Sequence, residues 1–136
     1  MITISHVRQY INRAKSIAPA VDFDAISIGI CKGGMTSNGR NCRGIYSIGK
    51  RITLTNQIGQ KEGFAVFLHE LGHHLTWLQL GTDVYKTCSE YQLEIFADMF
   101  AIEMADELAF EYERWLGRMI GRIPSEYSRQ IPALID

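Results

Sequence analysis

The five residues His69-Glu70-Leu71-Gly72-His73 constrain this chain more than any others. The H-E-x-x-H order carries chemistry when it lies on an α-helix. Residues four apart then sit about 40° apart on one face, so both imidazoles can reach a single metal ion. Glu70 follows the first His directly and can hold a metal-bound water from the side. Two imidazoles with a neighbouring carboxylate base suit zinc-assisted hydrolysis. The flanks supply the helix. Phe64, Leu68, Leu71, Leu75 and Leu78 recur at spacings of four, three, four and three. That pattern predicts an amphipathic helix over about residues 60–80 with one broad apolar face. His69 and His73 project from roughly the opposite side. Gly72 costs a helix interior about 1 kcal/mol relative to Ala, which makes sense where another element approaches closely. Gly81 reads as the C-terminal stop.

A zinc site needs a third protein ligand. A third His in the manner of the metzincins would follow six residues after His73, and that position is Gln79. His74 points about 100° away from His73 around the helix and reads as solvent-facing. His6 lies in the N-terminal segment and reads as surface. A carboxylate is the better candidate. Glu94 stands in Glu94-Ile95-Phe96-Ala97-Asp98, an E-x-x-A-D pattern on a second predicted helix over about residues 89–105. Asp98 lies one turn later and could accept a hydrogen bond from the outer ring nitrogen of a ligating His. Ala97, Ala101 and Ala105 run down the same side and would let two helices come close. Leu93, Phe96, Phe100 and Met104 form the adjoining apolar face. Glu90 is the rival ligand, but Thr87-Cys88-Ser89-Glu90 reads as a capping box that employs it.

H-E-x-x-H followed by E-x-x-A-D resembles the gluzincin metallopeptidases. The longer run Glu94-Ile95-Phe96-Ala97-Asp98-Met99-Phe100-Ala101 resembles the E-x-x-A-[DN]-x-F-A signature of the ImmA/IrrE metallopeptidase family. Residues 44–55 resemble that family's hairpin before the active-site helix. The resemblance implies metal ligands at His69, His73 and Glu94, one Zn²⁺ per chain and a general base at Glu70. It also implies a protein substrate, since some members cleave a transcriptional repressor. In gluzincins an extended peptide commonly pairs with an edge strand beside the active-site helix, and residues Arg51 to Thr55 are the candidate here. Many family members carry a further DNA-binding or sensor domain, for which this chain has no room.

The remaining sequence reads as a single α+β domain over residues 1–136. Val7, Tyr10, Ile11, Ala14 and Ile17 predict a helix over about residues 4–17. Ala25 to Ile30, Ile45 to Ile48 and Arg51 to Thr55 read as strands, the last two joined at Gly49-Lys50. Lys32 to Arg43 reads as a loop, Gly81-Thr82-Asp83 as a turn, and residues 107–120 as another helix with Leu108, Tyr112, Trp115, Leu116 and Met119 inward. The expected architecture is a small zincin-like domain. A short antiparallel sheet of about three strands packs on the active-site helix and the metal-ligand helix, with flanking helices. A net charge of −1 without a Lys/Arg run argues against nucleic-acid binding. No apolar run approaches a membrane span, and the first residues lack a signal-peptide stretch, so the expected location is cytoplasmic. The odd set Cys31, Cys42 and Cys88 then reads as reduced thiols.

Two function classes follow. The first is a zinc endopeptidase in which Glu70 takes a proton from the zinc-bound water and passes it to the leaving amine. Tyr91, about 60° from Glu94 on the helix wheel, is the candidate oxyanion donor, with His74 and Tyr46 behind it. The second is a non-catalytic, zinc-stabilised protein-binding module on the same fold. Glu70 favours the first, because a binding module needs no base there. Imidazole and carboxylate ligands suit Zn²⁺, Mn²⁺ and Fe²⁺ alike.

Overall fold

A computed structural model of the chain describes residues 1–112. The elements in order are α1 (Ile4–Lys15), β1 (Ser27–Cys31), β2 (Met35–Ser37), β3 (Arg40–Cys42), β4 (Gly44–Ser47), β5 (Arg51–Thr55), α2 (Gln60–Leu80), α3 (Thr82–Thr87) and α4 (Glu90–Glu107). The fold is α+β, as expected. The predicted helix over 107–120 lies mostly outside the described residues. Its first part, 108–112, is turn and irregular chain.

The sheet differs from the expected antiparallel one. Its order is β1-β5-β4, with β1 parallel to β5 and β4 antiparallel to it. A short loop reverses β4 into β5, and Gly49 takes the left-handed φ of 68° there. β5 is therefore the central strand. Its Ile52 and Leu54 are fully buried in the core, which suits a strand bonded on both edges. The edge strand beside α2 is accordingly β4, and Arg51 to Thr55 cannot pair with an incoming peptide. The predicted Lys32–Arg43 loop also contains structure, because β2 and β3 form a separate antiparallel hairpin. Its polar residues Thr36, Ser37, Arg40 and Asn41 are all exposed, so burial leaves no apolar alternation to read.

α2 is the centre of the molecule. Phe64, Ala65, Phe67, Leu68, Leu71 and Leu75 are buried against the sheet, α1 and α4. Leu78, expected on the apolar face, is 39% exposed. Tyr10, Phe64, Phe67 and Phe110 make an aromatic cluster under α1, with the Arg13 guanidinium 4.1 Å from the Phe64 ring centre. Such a contact adds roughly 0.5–2 kcal/mol to the burial of the ring itself.

α4 packs against α2 more extensively than any other pair of elements. Gly72 explains how close they come. A Cβ on Gly72 would lie 2.3 Å from the Ala97 carbonyl oxygen and 2.9 Å from its Cα. The small residues Gly72, Ala97, Ala101 and Ala105 thus bring the two backbones together. α4 begins with Ser89, whose hydroxyl accepts from Gln92 N at 3.1 Å while Gln92 Oε1 accepts from Ser89 N at 3.0 Å. This capping box replaces the predicted one from Thr87 to Glu90. Thr87 belongs to α3, where its hydroxyl donates to the Val84 carbonyl. α3 itself takes the place of the simple turn expected at residues 81–83.

Candidate metal centre

Close packing of α2 on α4 brings three predicted ligands to one point. Nε2 of His69 lies 3.1 Å from Glu94 Oε2, and Nε2 of His73 lies 3.0 Å from Glu94 Oε1. The candidate donor atoms all fall within 4.8 Å of one another. Four ligands at zinc bond lengths of about 2.0–2.1 Å would stand roughly 3.3 Å apart in a tetrahedron. The His and Glu atoms are already close to that spacing, and the donor set of two neutral nitrogens and one carboxylate fits zinc. Glu94 takes the third position over Glu90, which is exposed at the start of α4.

The imidazoles are held in different ways. Nδ1 of His69 lies 2.7 Å from Oδ1 of Asp98, which is 3% exposed. That contact turns Nε2 inward, as expected of Asp98, and a carboxylate behind a ligating imidazole raises its basicity. Among the described residues His73 has no such partner, and its buried Nδ1 makes no hydrogen bond. Packing holds its ring instead. The Tyr46 ring stacks on it at 6.2 Å with 10° between planes. Tyr46 is itself fixed, because its hydroxyl accepts from Gly49 N at 2.7 Å and donates to His74 Nδ1 at 2.8 Å. Burial raises the Tyr46 phenol to about 12, opposed by its bond to Gly49. His74 is therefore buried, 5% exposed, and not the solvent-facing residue expected. It packs between Tyr46 and Trp77, and burial lowers its pKa. His6 lies outside the site, with Nδ1 closing the capping box of α1.

Electrostatics bind the cluster together. Burial opposes charge on His69, but hydrogen bonds to Asp98 and Glu94 outweigh it and raise its pKa well above the ordinary value. Burial likewise opposes charge on Glu94, yet bonds to His69 and His73 hold its carboxyl far below the usual range. Glu70 behaves differently. It is 6% exposed, and burial pushes its pKa up, only partly countered by His69 and His73. Among the described residues no hydrogen bond reaches its carboxylate. A buried carboxylate near two imidazoles with a raised pKa suits a proton acceptor and donor.

Two clefts flank Glu94. The larger, with a volume of about 500 Å³, lies between the β2–β3 hairpin and the start of α4. Arg40, Cys42 and Gly44 line it opposite Glu90 and Glu94. The smaller, about 310 Å³, includes Arg40, Tyr91, Glu94 and Asp98. Tyr91 thus borders the site but is 61% exposed. Cys31, Cys42 and Cys88 are free thiols outside the ligand group. Sequence reasoning missed Tyr85. It is 6% exposed on α3 and meets the Tyr46 ring edge-on at 6.4 Å. Burial, followed by the proximity of Tyr46, Glu70 and Glu94, raises its phenol pKa strongly. Tyr85 falls between the turn expected at residues 81–83 and the helix expected from about 89, so nothing marked it. No protein-family model, curated protein or solved structure matches the chain.

Proposed function

We propose that this chain is a zinc-dependent endopeptidase of the gluzincin type, with motifs that resemble those of the ImmA/IrrE family. The observation that carries the reading is Glu70. It lies beside the His69–His73–Glu94 cluster, buried and without a hydrogen bond among the described residues. Burial disfavours the ionised form of this carboxylate, a cost that its raised pKa reflects. A module that only bound zinc and a partner would gain nothing from that cost.

His69, His73 and Glu94 would hold the ion, and Asp98 would orient His69. The metal would supply Lewis acidity, polarising the scissile carbonyl and acidifying a water. Glu70 would accept a proton from the attacking water and return it to the departing amine. Its raised pKa suits a group that carries the proton between those steps. Tyr91 is the proposed donor to the developing oxyanion, because it borders the smaller cleft with Glu94. Tyr85 is the competing donor, and separate Tyr→Phe changes distinguish them.

The substrate is an extended segment of a protein, and a transcriptional repressor in the cytoplasm is one candidate. Strand geometry supports an extended ligand. The carbonyl of Arg43 accepts from Thr55 N at 2.9 Å, so Ile45 and Ser47 also bond towards β5. Gly44 and Tyr46 then turn their backbone N–H and C=O to the free edge. β4 runs along α2, with Gly44 over Val66 and Glu70, Tyr46 over His73, and Gly49 over Trp77. A peptide paired to that edge would cross the metal cluster. Incubating zinc-loaded protein and Glu70→Gln with unfolded casein tests the reading. Cleavage by the first alone supports the peptidase. Cleavage by both removes Glu70 from its role, and zinc binding without cleavage by either favours the binding module.

A further inference from the structure

We propose that Gly44 is a positioning residue for Glu70. The bare backbone at the start of β4 forms the wall that aims the carboxylate at the metal cluster. This rests on the reading of Glu70 as the base.

Space decides what this position can hold. A Cβ on Gly44 would lie 2.9 Å from Glu70 Cγ, 3.2 Å from Glu70 Oε1 and 2.7 Å from Val66 Cγ1. Gly44 does not adopt the left-handed φ that glycine favours, so Ala would suit its backbone conformation. Room alone excludes a side chain here.

Neither supporting element can easily retreat. β4 is tied to central β5 by the Gly44–Leu54 register and by the bond between the Arg43 carbonyl and Thr55 N. α2 is held on its far side by the contact of Gly72 with Ala97. Val66 is β-branched and keeps essentially one rotamer on a helix. Glu70 is the one flexible group in the gap. An added methyl would therefore displace the carboxylate and strain the Val66 contact, while His69, His73 and Glu94 stay in place. A misplacement of about 1 Å at a reacting group can cost about 10²-fold in rate.

The test compares zinc-loaded wild type with Gly44→Ala, Val66→Ala, the double variant and Glu70→Gln. Crystal structures of the wild type and Gly44→Ala should show the Glu70 carboxylate moved, with zinc on His69, His73 and Glu94 in both. On a substrate that the wild type cleaves, Gly44→Ala should lose about 10²-fold in kcat with KM and zinc content unchanged. The double variant removes the Val66 contact and should recover thermal stability without recovering kcat. An unmoved carboxylate in Gly44→Ala overturns the proposal, as does a wild-type kcat in either Gly44 variant. If Glu70→Gln cleaves as well as wild type, the base assignment fails. The carboxylate position in Gly44→Ala still decides the positioning claim.

Discussion

At the scale of residues, the site depends on which groups hold the two imidazoles in place. Asp98 sets the ring of His69 through a 2.7 Å contact to Nδ1. Asp98→Asn should weaken zinc affinity about 10–100-fold, the usual cost of losing such a partner. Competition against a chelating dye reads it directly, and unchanged affinity would remove Asp98 from the site. The same cluster gives the metal-free protein a characteristic pH response. His69 has a raised pKa, so its stabilisation is complete below 6.5 and lost as pH rises through the folded value. Glu94 has a depressed pKa, so its contribution is complete above 4.5 and lost as pH falls through the folded value. Glu70, pushed up, works against the fold once pH exceeds 4.5. Metal-free protein should therefore lose stability on going from mildly acidic to alkaline solution. Zinc binding must displace the His69 proton, so zinc affinity should rise over that range. Melting curves with and without chelator should diverge as pH increases, and parallel curves would contradict this account.

At the scale of elements, the contact of α2 with α4 positions the candidate ligands His69, His73 and Glu94. Gly72→Ala gains roughly 1 kcal/mol of helix propensity but drives a methyl into the Ala97 carbonyl. Overpacking of that kind typically costs about 1–3 kcal/mol. The net effect expected is a lower denaturant midpoint together with weaker zinc binding, because Glu94 moves with α4. The end of α4 offers an opposite change. Phe110 N donates to the Ala105 carbonyl at 2.8 Å and Ala109 N to that of Asp106 at 3.0 Å, a Schellman motif. Ala109 occupies its left-handed position, with φ of 50°. Ala109→Gly should stabilise the protein by about 1 kcal/mol, measured by denaturant unfolding.

These elements also show what could be read from the chain. α2 and α4 were legible because their apolar and small residues recur at helical spacing. Gly72 signalled the close approach that the structure contains. Glu94 and Asp98 were legible for the same reason, since a turn's spacing on one helix fixes which groups share a face. α3 and the end of α4 left no such trace, and the β2–β3 hairpin left only the turn signal Asn38-Gly39. The hairpin is exposed, α3 is short, and an alanine stands where a glycine would have marked the stop. Strand direction was hidden because parallel pairing of β1 with β5 depends on which strand becomes central. Pattern alone does not say so. The roles of Tyr46, Tyr85 and Gly44 arise from contacts across elements, which periodicity does not encode.

At the scale of the whole molecule, one ion would join the two helices that carry the core. α1, the sheet and α4 all pack on α2, so a metal linking α2 to α4 acts on the entire described fold. Zinc at about 100 times its dissociation constant should add about 2.7 kcal/mol of stability. Chelation should lower the melting temperature accordingly, and His73→Ala should abolish the difference. No helix among the described residues is long and apolar enough to cross a membrane.

The most direct measurement is anomalous diffraction at the zinc edge from crystals grown with zinc. The account predicts one strong peak about 2.0–2.2 Å from His69 Nε2, His73 Nε2 and a Glu94 carboxylate oxygen, with the Glu70 carboxylate beside it. Density for zinc elsewhere, or none between those three side chains, would contradict it.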